Sequence, residues 1–82
     1  IYPNPINLSV NPLNIIYDLY DGEIYLEIFD LNGKSISSNS FSLSYGRQYI
    51  NYNSRLDIPS GIYFLKVSAG YKTDFIKFVN IK

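Results

Sequence analysis

The sequence predicts an all-β chain folded as a small antiparallel sandwich of about seven strands, and three observations carry that expectation. Val, Ile, Thr, Tyr and Phe number 30 of the 82 residues, against 19 for Ala, Leu, Glu, Lys, Gln, Arg and Met together. Side chains that pack on pleated surfaces therefore outnumber those that favour helices. Gly, Asn, Pro, Ser and Asp supply the remaining 33, which is the turn chemistry that many short strands require. All five glycines, Gly22, Gly33, Gly46, Gly61 and Gly70, fall where a strand-like run breaks. Cutting there gives candidate strands at about 1–6, 12–20, 23–30, 34–43, 47–54, 61–68 and 71–81, close to the spacing of a sandwich or small barrel.

Neighbours along a strand point to opposite sides, so alternation assigns the faces. In the opening segment Pro3 and Pro5 fix an extended run suited to a sheet edge. Leu13, Ile15, Tyr17 and Leu19 share one face of the second strand, and Ile24, Leu26 and Ile28 share one face of the third. The segment Asp30-Leu31-Asn32-Gly33-Lys34 then closes a hairpin. A two-residue Asn-Gly turn would put Ile28 opposite Ser37, whereas a three-residue loop of Leu31, Asn32 and Gly33 puts it opposite Ile36. Burying Ile against Ile favours the longer loop, with Asp30 first and Gly33 fourth in a type I turn and Gly33 left-handed. In the sixth strand Tyr63, Leu65 and Val67 face inward, because Lys66 marks Ile62, Phe64 and Lys66 as outward. The last strand is ambiguous, since Phe75, Val79 and Ile81 compete with Ile76 and Phe78. A turn at Ala69-Gly70 would set Phe64 opposite Phe75 and Ile62 opposite Lys77. The expected core is Tyr17, Leu19, Leu26, Ile28, Ile36, Tyr63, Leu65 and Val67.

Composition excludes much chemistry. With no Cys and no His, the thiol nucleophile, the imidazole base, the zinc thiolate site and the disulfide are absent. Asp18, Asp21 and Glu23 lack the regular spacing of a calcium loop and read as a solvated hairpin. No spacing pairs a Ser nucleophile with a base, so no catalytic, metal or cofactor site is expected. A net charge of zero gives no global field to attract nucleic acid. No 18-residue apolar run provides a transmembrane segment, and the N-terminus lacks a signal-peptide layout. The absence of Met, including an initiator, suggests a piece of something longer. A chain of this size buries roughly 60% of its unfolded surface and has a folding stability of about 4–12 kcal/mol.

Four segments in order resemble one family. Tyr2-Pro3-Asn4-Pro5 is similar to the opening of the type A C-terminal sorting domain of the type IX secretion system, and Ile28-Phe29-Asp30-Leu31-Asn32-Gly33-Lys34 resembles its aspartate-two-residues-glycine-basic turn. Ile58-Pro59-Ser60-Gly61-Ile62-Tyr63-Phe64-Leu65-Lys66-Val67 resembles its proline-serine-glycine-isoleucine-tyrosine segment, and Lys77-Phe78-Val79 its lysine-plus-apolar close. Asn7-Leu8-Ser9-Val10-Asn11 departs from the polar stretch more usual there. The resemblance implies an Ig-like sandwich, residues 1–82, excised from the C-terminus of a larger secreted protein of Bacteroidota-type bacteria. It implies a non-catalytic secretion signal that leads upstream cargo through the periplasm and the type IX translocon to the cell surface or medium, with a sortase cutting upstream of Ile1.

The expected recognition residues are Tyr2, Pro3, Asn4, Pro5, Gly61, Tyr63, Lys66, Lys77 and Lys82. The plain alternatives are an extended edge for Tyr2-Pro3-Asn4-Pro5, a tight turn for Pro59-Ser60-Gly61 and a core position for Tyr63. Charge adds a reason: residues 61–82 carry Lys66, Lys72, Lys77 and Lys82 against Asp74, while residues 1–60 are acidic by the same margin. A basic final hairpin suits an acidic translocon surface or lipid phosphates, or else simply protects a sheet edge. Two other functions fit the sequence, a carbohydrate-binding module using the nine tyrosines and an Ig-like spacer. A sugar platform needs several rings exposed on one face.

Overall fold

The computed structural model describes residues 5–17, 22–44, 46–52, 56–70 and 72–82. These form six strands, β1 (Leu13–Tyr17), β2 (Gly22–Phe29), β3 (Ser35–Leu43), β4 (Gln48–Tyr52), β5 (Gly61–Ala69) and β6 (Lys72–Asn80). β1 pairs with β4 in one sheet, and the other runs β3-β2-β5-β6, with every strand pair antiparallel. The all-β sandwich expected from composition is present, with six strands among the described residues where the sequence suggested seven. Of the opening strand expected over 1–6, the described part is Pro5 and Ile6, and Ile6 makes an isolated parallel bridge to Asn80 at the end of β6.

One hydrophobic cluster lies between the sheets. Leu13 and Ile15 of β1 and Ile50 and Tyr52 of β4 meet Ile24, Leu26, Ile28, Leu65, Val67 and Phe78 of the larger sheet. Alternation in β2 and β5 falls as the sequence implied: Ile24, Leu26 and Ile28 are buried between exposed Glu23 and Tyr25, and Tyr63, Leu65 and Val67 are buried. Tyr17 and Leu19, also expected in the core, have side chains outside the described residues. Pairing with β5 settles the last strand. Residues directly opposite in an antiparallel pair share a face, and inward Tyr63 stands opposite Phe78, their rings stacked with centroids 6.0 Å apart. Ile76, Phe78 and Asn80 therefore turn inward, and Phe75, Lys77 and Val79 outward.

Two registers differ from expectation. The three-residue loop forms as predicted: the Gly33 N–H donates to the Asp30 carbonyl at 3.1 Å, the Asp30 N–H to the Lys34 carbonyl at 3.0 Å, and Gly33 has φ +81°. Asp30 Oδ1 also accepts the N–H groups of Asn32 and Lys34, both at 2.9 Å. Phe29 then faces Ser35, but the register shifts and Ile28 faces Ser37, not Ile36. Ile36 is the extra residue of a bulge and only half-buried, packed against the rim of the core. The bulge turns Ser37 inward, where its hydroxyl meets that of Tyr52. Because a Cβ at Gly33 would touch nothing within 4 Å, Gly33→Ala should cost about 1–2 kcal/mol through the backbone alone. Urea denaturation measures this directly.

The second difference is at the β5–β6 turn, where Ala69 faces Lys72 instead of sitting in the turn. Ala69 is buried and continues the inward series Tyr63, Leu65, Val67, so the core holds it in the strand and Gly70, with φ +61°, leads the reversal. Phe64 accordingly stands opposite Lys77, Lys66 opposite Phe75 and Ile62 opposite Val79. The slip is by two residues in total, which leaves every side chain on its expected face.

Candidate functional site

The Pro59-Ser60-Gly61 segment and the end of β6 form one joint. The Tyr63 hydroxyl donates to the Pro59 carbonyl at 2.6 Å, and the Asn80 amide donates to the Ile58 and Pro59 carbonyls at 3.2 and 3.3 Å. Asn80 Oδ1 accepts the Leu8 N–H at 2.9 Å. The Ile6 N–H reaches the Val79 carbonyl at 2.9 Å, and the Ile81 N–H reaches the Ile6 carbonyl at 2.7 Å. The Lys82 N–H donates to Ser60 Oγ at 2.9 Å, and Lys82 Nζ pairs with Asp57. Just upstream, Asn7 closes its own turn by accepting from Ser9 through Oδ1 and from Val10 and Asn11 through its carbonyl. The segment that departs from the family's polar stretch thus brings buried Leu8 onto the core.

The expected recognition residues divide between this joint and the outer sheet face. Tyr63 is buried, and Gly61 begins β5 with φ +159°, close to fully extended, so both serve the joint. Lys82 is exposed and ion-paired. Pro5 is exposed, and Tyr2, Pro3 and Asn4 lie outside the described residues. Lys66 and Lys77 project from the outer face of β5 and β6, and among the described residues neither makes an ion pair. Glu27 stands opposite Lys66 in the register, but its Oε2 accepts the Ser35 hydroxyl at 2.7 Å.

Beside the two lysines runs an open groove of about 400 Å³ lined by Phe29, Asp30, Leu31, Gly33, Phe64 and Phe75. Leu31, read from sequence only as a turn residue, is 65% exposed, as is Phe75. Among the described residues the tyrosines make no common platform: Tyr52 and Tyr63 are core, while Tyr25 and Tyr49 are exposed on the outer faces of opposite sheets. Asp18 and Asp21 lie outside the described residues. Among the described residues no group of three acidic side chains gathers to hold a metal, and no helix is long and apolar enough to cross a membrane.

Residues 1–82 as a whole match the secretion system C-terminal sorting domain, the sorting tail of the type IX system. The chain belongs to that family. No curated protein and no solved structure matches it. As a sorting domain it is a secretion signal, and such a tail marks its protein for export to the cell surface or the extracellular space. Three of the four family-like segments now have places in the sandwich. The turn at Asp30–Lys34 closes β2 onto β3, the Pro59-Ser60-Gly61 segment locks to Asn80, and Lys77-Phe78-Val79 lies in the second half of β6. Asn80 and Leu31 escaped the sequence reading. Asn80 stands at core parity after Ile76 and Phe78, a signal that was present, whereas nothing local marks Leu31.

Proposed function

We propose that residues 1–82 are a discrete, non-catalytic domain at the end of a larger secreted protein, delivered to the periplasm and read there by the type IX translocon. The translocon passes the cargo across the outer membrane, and a sortase cuts upstream of Ile1. The observation that carries this reading is the family match over the whole chain. The joint supports it mechanically: Ile6 pairs with β6 beside Asn80, so the start of the described domain is tied directly to its C-terminal strand. Within the domain, Gly61 and Tyr63 hold the joint, while Lys66 and Lys77 offer accessible charge to a partner. Tyr2, Pro3, Asn4 and Pro5 form the stretch nearest the cut.

The test is export. Fused to the C-terminus of a periplasmic reporter in a type IX-competent host, residues 1–82 should carry the reporter to the surface or medium, while a translocon-deficient host retains it. Equal export without the domain, or without the translocon, would remove the sorting route. Binding of soluble oligosaccharide with no export would favour a carbohydrate-binding module instead.

A further inference from the structure

We propose that the outer-face groove between the β2–β3 turn and β6, walled by Phe29, Leu31, Phe64 and Phe75 and flanked by Lys66 and Lys77, docks an acidic, apolar-tipped protein segment of the machinery that reads the signal. This rests on the sorting reading and names its partner's chemistry. Two sequence-distant features build the groove. Leu31 projects from the turn that Asp30 holds with two backbone N–H groups, and Phe75 projects from β6, 44 positions along the chain. Register joins them: Phe29 faces Phe64, and Phe64 faces Lys77, with Phe75 opposite Lys66 one step along the strands.

Charge selects the occupant. Of the four lysines in residues 61–82, Lys72 pairs with Asp74 at 3.9 Å and Lys82 with Asp57. The two that remain unpaired among the described residues stand beside the groove in the register, Lys77 opposite Phe64 and Lys66 opposite Phe75. The acidic groups nearby have other partners, Asp30 Oδ1 the Asn32 and Lys34 N–H groups and Glu27 Oε2 the Ser35 hydroxyl. Edge protection does not account for Lys66, because β5 is an interior strand with β2 on one side and β6 on the other. Nor does folding account for Phe75, an aromatic ring left mostly in water opposite Lys66 in the register. An apolar centre with a charged rim is the anatomy of a docking surface. Complementarity to two lysines calls for carboxylates, and the groove between them calls for a bulky apolar side chain on the same segment.

Four versions of the reporter fusion test this, with melting temperature recorded for each. Leu31→Ser with Phe75→Ser, and separately Lys66→Glu with Lys77→Glu, should each lower export about tenfold or more, the effect of losing one or two hot-spot contacts. Melting temperatures should stay within a few degrees, since all four side chains are on the surface. Ile16→Ser with Tyr49→Ser removes exposed apolar area from the outer face of the other sheet and should leave export within about twofold, as substitution outside the contact does. Phe75→Leu, which keeps the apolar contact, should export normally. If the serine pair unfolds the domain, Phe75→Thr replaces it, because Thr suits a strand while removing the ring.

Normal export by the groove variants while the unmodified fusion is exported would overturn the groove and leave the sorting reading standing. An equal loss in the Ile16/Tyr49 control would overturn it too. So would a loss from charge reversal alone, which leaves the apolar wall without a part. Failure of the unmodified fusion removes both readings. Purified fusion should not sediment with phosphatidylglycerol vesicles, and sedimentation lost in parallel with export on Lys66→Glu and Lys77→Glu would assign the surface to a lipid and overturn the protein partner.

Discussion

Leu26→Ala should cost about 2–5 kcal/mol, a large part of the roughly 4–12 kcal/mol a domain of this size has. Leu26 is fully buried at the centre of β2, an interior strand paired on both sides, by β3 and by β5. Ile24 and Ile28 flank it on the same face, and Val67 stands opposite it on β5. Truncation removes apolar contact and leaves a cavity that neighbours held in two ladders cannot close, which places the cost above the transfer of a few methylenes. In urea the midpoint should fall with the slope unchanged, because the same surface is exposed on unfolding. Tyr25→Ala next to it, on the outer face and half exposed, should cost under about 1 kcal/mol. A loss below about 0.5 kcal/mol at Leu26 would mean that β2 packs with its other face inward.

The contrast between Leu26 and Tyr25 was legible because β2 alternates cleanly, with charged residues on one parity and aliphatic ones on the other. β6 was not legible alone. Phe75, Ile76, Phe78 and Val79 put apolar side chains on both parities, one set for the core and one for the outer face, and only pairing with β5 separates them. β3 conceals its bulge in a serine-rich run, although Ile36 and Phe41 have opposite parities and both pack against the core, which a straight strand does not permit. Ala69 before Gly70 has the composition of a turn, and the core holds it in the strand instead. The groove is the least local feature of all. Phe29, Leu31, Phe64 and Phe75 belong to three separate stretches, and a turn leucine acquires meaning only when the sheet order β2-β5-β6 is known. Of the nine expected recognition residues, Lys66 was placed on the outer face by parity and Lys77 joined it only through the assumed turn to β5, whereas the structural role of Tyr63 depends on a carbonyl that the pattern does not reveal.

Asn80→Ala should be about as costly as a core truncation, at roughly 2–4 kcal/mol, for a different reason. Asn80 is 1% exposed, and its amide spans three segments: Oδ1 takes the Leu8 N–H while Nδ2 serves the Ile58 and Pro59 carbonyls. Pro59 keeps the Tyr63 hydroxyl when the amide is removed. The Leu8 N–H and the Ile58 carbonyl lose this side-chain partner, and a buried polar group without one costs about 1–3 kcal/mol. Asn80→Asp separates hydrogen bonding from volume, because the side chain keeps its shape and its acceptor for Leu8 but turns a second acceptor toward two carbonyls. Burial and those carbonyls disfavour the ionised form, so the introduced carboxyl titrates higher in the folded than in the unfolded chain. Between the two titration points the native state holds the extra proton, so stability falls as pH rises, from about pH 4 upward. The Asn80→Asp variant should therefore lie closest to the unmodified protein at acid pH and fall progressively behind toward neutrality, as read from urea midpoints at pH 4 and pH 8. A pH-independent deficit, or an alanine variant within about 0.5 kcal/mol of the unmodified protein, would show that Leu8, Pro59 and β6 hold together without the amide.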